Sequence, residues 1–83
     1  MISSLISVTT SATLIVSADD IPREVYVHSA SGSIYLGGST VTTSTGLHLP
    51  NNSTITVFIP AKETLYAISS GTHSVIVLTP DTD

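Results

Sequence analysis

The chain of 83 residues (8.6 kDa) holds two Lys/Arg against six Asp/Glu, a net charge of −4, with 10% of residues charged and 41% apolar. Two cations, Arg23 and Lys62, cannot neutralise a run of phosphates, which argues against nucleic acid and against electrostatic attachment to an anionic membrane. With no cysteine there is no disulfide framework, thiol nucleophile or thiolate zinc site.

Ser and Thr, 14 and 13 residues, occupy the surface that charges leave. Val, Ile and Thr, stiff at χ1 and suited to a pleated surface, make up 30 residues, and helical periodicity is nearly absent. The expectation is an all-β chain. Its first segment, residues 2–8, alternates Ile2, Ser4, Ile6 and Val8 against Ser3, Leu5 and Ser7. It reads equally as a first strand or, over residues 1–9, as an extended N-terminal arm that adds a strand to a neighbour. Strands are then predicted at residues 12–18, 23–29, 33–36, 40–43, 54–59, 64–69 and 73–79. Turn chemistry separates them: Asp19-Asp20-Ile21-Pro22, Ser31-Gly32, Gly37-Gly38, Pro50-Asn51-Asn52, Pro60-Ala61-Lys62 and Ser70-Gly71. Strands at this spacing predict one small antiparallel β-sandwich or barrel-like domain of seven or eight short strands over residues 1–83.

Alternation is cleanest in residues 54–59, where Ile55, Val57 and Ile59 share one face and Thr54, Thr56 and Phe58 the other. The last strand, Ser74-Val75-Ile76-Val77-Leu78, is apolar on both faces, as is Leu65-Tyr66-Ala67-Ile68. So small a sandwich cannot hide both faces of such strands in its own core, so one face is expected to meet another chain. Tyr26, Phe58, Val75 and Val77 are the candidate contact residues.

No arrangement of reactive groups stands out. His28, His48 and His73 fit no local ligand spacing, and only a threefold axis could gather copies of one of them. The pairs Asp19-Asp20 and Asp81/Asp83 fall in a turn and at the C-terminus, where carboxylates are solvated. There is no Gly-x-Ser-x-Gly elbow, and Gly37-Gly38-Ser39-Thr40 lacks the lysine of a phosphate loop. Asn51-Asn52-Ser53-Thr54 holds two overlapping glycosylation acceptors, read here as a polar hairpin tip. No catalytic residue, cofactor or metal is expected. The first 22 residues lack Lys and Arg, and the run at residues 12–16 is too short to span a bilayer. The chain therefore reads as soluble and unprocessed.

Residues 23–78 resemble a recurrent type of small tailed-bacteriophage virion protein. The likeness is carried by Arg23-Glu24-Val25-Tyr26-Val27, then by Ile34-Tyr35-Leu36-Gly37-Gly38-Ser39-Thr40-Val41-Thr42-Thr43-Ser44-Thr45-Gly46-Leu47-His48-Leu49, and lastly by Leu65-Tyr66-Ala67-Ile68-Ser69-Ser70-Gly71-Thr72. His48 stands where proline is common in that pattern. The resemblance implies a non-enzymatic β-sandwich on the virion exterior, made in the host cytoplasm. It further implies a capsid decoration protein, self-associated as a homotrimer and bound to the major capsid protein or another virion protein. A neck, tail or fibre-attachment component is the alternative within the same class. A glycan-binding appendage module is the alternative outside it, disfavoured by 5% aromatic content and no Trp.

Overall fold

The computed structural model describes residues 2–79, which form eight strands and no helix. They are β1 (Ile2–Val8), β2 (Thr13–Val16), β3 (Arg23–Ser29), β4 (Ile34–Gly37), β5 (Leu47–Leu49), β6 (Thr54–Ile59), β7 (Leu65–Ile68) and β8 (His73–Thr79). Two four-stranded antiparallel sheets result, in the orders β1-β8-β3-β6 and β2-β7-β4-β5. The pairs β1–β8, β2–β7, β3–β6 and β4–β5 are those of one long hairpin folded back on itself at the β4–β5 connection. Pairing of β3 with β8 and of β4 with β7 gathers these ribbons into sheets. This winding is a jelly roll, and it makes the chain an all-β sandwich.

Strand alternation supplies the core. Val25 and Val27 of β3 face inward with Val75 and Val77 of β8, while Ile34, Leu36, Leu49, Leu65 and Ala67 fill the opposing sheet. Val8, Ile15, Val16 and Ile59 close the layer. Ile34 is the largest fully buried side chain, so the core is thin and aliphatic. Each such Val, Ile or Leu contributes roughly 1.5–3 kcal/mol by leaving water.

The predicted strands 33–36 and 64–69 move by one residue at each end, and two others change further. Residues 40–43 form no strand, because Thr42 satisfies the backbone locally. Its hydroxyl accepts from the Ser44 and Thr45 amides (3.3 and 3.2 Å), its own amide donates to Thr45 Oγ1 (3.1 Å), and the Gly46 amide donates to its carbonyl (2.9 Å). Such bonds compete directly with a ladder. The strand falls instead at Leu47–Leu49, against β4. The predicted segment 12–18 shortens to Thr13–Val16, where a bulge between Leu14 and Val16 lets Ile15 and Val16 both turn inward. The segment read as strand or arm is an edge strand of its own sheet, paired with β8 from Ile2↔Thr79 to Val8↔His73.

Candidate interaction surface

The outer face of the β1-β8-β3-β6 sheet carries the clearest surface feature. Register places Ser3, Leu78, Tyr26 and Thr56 in one row across four strands, and Leu5, Ile76, His28 and Thr54 in the next. Phe58 stands opposite Glu24 and diagonal to Tyr26. Leu5 is 70% exposed, Phe58 62% and Tyr26 42%, with Ile76 and Leu78 half-buried between them. Side chains so placed are cross-strand neighbours, and together they make one apolar band. His28 borders it, its Nδ1 2.9 Å from Thr54 Oγ1. Glu24 is the only charged residue on this face among the described residues.

Two of the four candidate contact residues lie here, Tyr26 and Phe58. Val75 and Val77 do not, being fully buried on the opposite face of β8 against Val25 and Val27. The period of two that points Val75 and Val77 into the core turns Ile76 and Leu78 outward. Leu5, Ile76 and Leu78 are thus the members that sequence reasoning left out. The signal for Ile76 and Leu78 was present in the two apolar faces of β8, and that for Leu5 in its place among the serines of β1, but nothing local says which face is inside.

On the other sheet Leu14 of β2 stays 43% exposed, while the β4–β5 part of the outer face is covered by the chain itself. The 38–46 connection returns over it and seats Val41, 7% exposed, against Gly37 and Gly46. A Cβ on Gly37 would lie 2.7 Å from Val41 Cγ2, and one on Gly46 2.6 Å from Tyr35 Cβ. Tyr35 then stacks on His48 with ring centroids 5.0 Å apart. The glycines and threonines of the sequence motif therefore build a lid, with Val41 as its plug. Gly38 differs from Gly37: no atom lies within 4 Å of the site of its absent side chain.

The two ends of the sandwich are chemically unlike. Strand directions put connections 9–12, 30–33, 50–53 and 69–72 at one end, and none of them contains a charged residue. Backbone and hydroxyl bonds knit that end together, among them Ser29 amide to Ser53 carbonyl (2.9 Å), Ser69 hydroxyl to Ser33 carbonyl (3.1 Å) and Gly32 amide to Asn51 Oδ1 (2.9 Å). The opposite end holds every charged residue among those described: Asp19, Asp20, Arg23, Glu24, Lys62 and Glu63. Arg23, 8% exposed, donates to the Ser17 carbonyl and pairs with Asp19 at 3.5 Å. A cleft of about 250 Å³ opens beside it, between Ile2 and Val77 of one sheet and Ile15 and Val16 of the other.

The remaining candidates stay apart. Among the described residues no three His, Cys, Asp or Glu side chains come close enough to hold a metal ion. His28 is bonded to Thr54, His48 is stacked on Tyr35, and the His73 ring lies over Gly32. Asn51 and Asn52 form the tip of the β5–β6 connection. Asp19 caps its own turn through the Asp20 amide (2.6 Å), whereas Asp81 and Asp83 lie outside the described residues. No helix among the described residues is long and apolar enough to cross a membrane. Comparison with protein-family models, with curated proteins and with solved structures finds no match.

Proposed function

We infer that the chain is a non-enzymatic structural protein of a tailed-bacteriophage virion, seated on the particle exterior as a capsid decoration protein. The observation that carries the adhesive role is the apolar band of Leu5, Tyr26, Phe58, Ile76 and Leu78, on a face that bears a single charge among the described residues. Few desolvated ions must then be paired when that face is covered. The virion assignment is supported by the sequence pattern of residues 23–78. Jelly rolls serve in capsids, lectins and enzymes alike, so topology does not choose among them. Copies of the chain bind one another, as a trimer, and the assembly binds the major capsid protein or another virion protein.

Mass spectrometry of purified particles beside infected-cell lysate tests this reading. Enrichment with the particles, in copy number close to that of the shell subunits, is expected. A handful of copies would move the chain to a neck, tail or fibre site, and its absence from particles would refute the assignment.

A further inference from the structure

Among the described residues no strand pairs with the outer edge of β1 or of β6, and none covers the outer face of the β1-β8-β3-β6 sheet. Its edge strands β1 and β6 are seven and six residues long and pair inward without a bulge. Neither contains a charged residue or a proline. Charges, prolines, bulges and shortness are the usual means by which an exposed edge is kept from pairing with another chain. The second sheet has two of them: β2 is bulged and four residues long, and β5 has three residues. Backbone donors and acceptors along β1 and β6 are thus left available for a further strand.

Strand direction makes the two edges of one copy complementary to each other, which favours a second copy as the occupant. The order β1-β8-β3-β6 is antiparallel throughout, so β1 and β6 run in opposite directions. When β1 of a second copy lies beside β6 of the first, the pair is antiparallel and both copies point the same way. We propose that copies of this chain join by such β6-to-β1 pairing into a closed ring, with the outer face of the sheet turned toward the ring axis. A head-to-tail contact of this kind closes when its rotation divides the circle. The register rows continue across it, setting Thr56 beside Ser3 of the next copy and Thr54 beside its Leu5. Turned inward, Leu5, Tyr26, Phe58, Ile76 and Leu78 from all copies meet along the axis. The charged ends form one rim of the ring and the serine-rich ends the other.

Competing arrangements cover less. Two sheets stacked face to face would bury the apolar band and leave both edges open. Pairing of β1 with β1 would close one edge and leave β6 and Phe58 bare. The ring rests on the self-association proposed above and does not depend on the virion assignment.

The chain has no cysteine, so introduced pairs report without background. Ser3→Cys and Thr56→Cys stand at exposed positions on the two edges. Antiparallel neighbours have Cα atoms roughly 4.5–5.5 Å apart, within disulfide range. After mild oxidation, a mixture of the two single variants is expected to yield a covalent dimer, and each alone none. The double variant is expected to convert to a covalent species with the mass of the native oligomer. If light scattering shows an oligomer but Ser3→Cys crosslinks by itself, or the mixture does not crosslink, the ring is wrong and self-association stands. A chain that is monomeric by light scattering at every concentration refutes self-association, and the ring with it.

Discussion

The imidazole of His73 occupies the space that a side chain on Gly32 would need: a Cβ there would lie 2.4 Å from both Cε1 and Nδ1 of the ring. Gly32 also has φ of +73°, in the left-handed region. Two costs therefore add in Gly32→Ala, roughly 1–2 kcal/mol for the backbone and a further cost for displacing the ring. The variant should lose at least about 1 kcal/mol in urea denaturation. Removing the ring with His73→Ala should restore only the steric part, so a double-mutant cycle is expected to show coupling with incomplete rescue. Full rescue would mean that backbone conformation contributes nothing at position 32.

Neighbouring glycines should respond differently. Gly37→Ala drives a methyl into Val41, whose β-branched side chain has few other rotamers, and should destabilise by about 1–3 kcal/mol. Gly38→Ala meets open space and should change stability by no more than about 0.5 kcal/mol. Equal effects in thermal melts would contradict the lid described for residues 38–46.

Two turns share one geometry and differ in fitness. In each, an amide closes back on a proline carbonyl, Ser53 on Pro50 and Glu63 on Pro60, at 3.1 and 3.2 Å. The third residue has positive φ, 63° at Asn52 and 68° at Lys62. Asparagine tolerates that region and lysine does not. Lys62→Gly is expected to stabilise by roughly 0.5–1 kcal/mol, or several degrees of Tm in a domain this size. Asn52→Ala should destabilise by a similar amount. A lower Tm for Lys62→Gly would show that the lysine side chain contributes more than its backbone costs.

The apolar band separates adhesion from folding. Phe58 and Tyr26 are exposed, so Phe58→Lys and Tyr26→Lys should leave stability within about 0.5 kcal/mol of the parent chain. Both should weaken self-association at least tenfold in analytical ultracentrifugation, because each carries an ammonium into an apolar contact where it must be desolvated, at position 58 together with Glu24 opposite. Val77→Lys must instead unfold the chain, since that side chain lies in the core. Self-association unchanged by the first two would remove the band from the interface.

Much of the architecture was legible from side-chain alternation. Ile55, Val57 and Ile59 point as their spacing requires, and β1, β3, β6 and β8 begin and end where predicted. The errors have local physical causes. Residues 40–43 carry strand-forming side chains, yet the Thr42 hydroxyl and carbonyl close a turn that no propensity reveals. β8 is apolar on both faces, so the choice of Val75 and Val77 over Ile76 and Leu78 needed the position of the second sheet. The separation of charge was written in the chain as residues 19–24 and 62–63. Only the jelly-roll winding brings those segments to one end.

The central claim is that this chain is a particle component that works by covering surfaces. Absolute quantification of the chain in purified virions, by isotope-labelled peptides against the major shell subunit, tests it most directly. A ratio near one assembly per local symmetry axis of the shell is the predicted result. Particles that carry no copies, from lysates that contain the chain, would contradict the account.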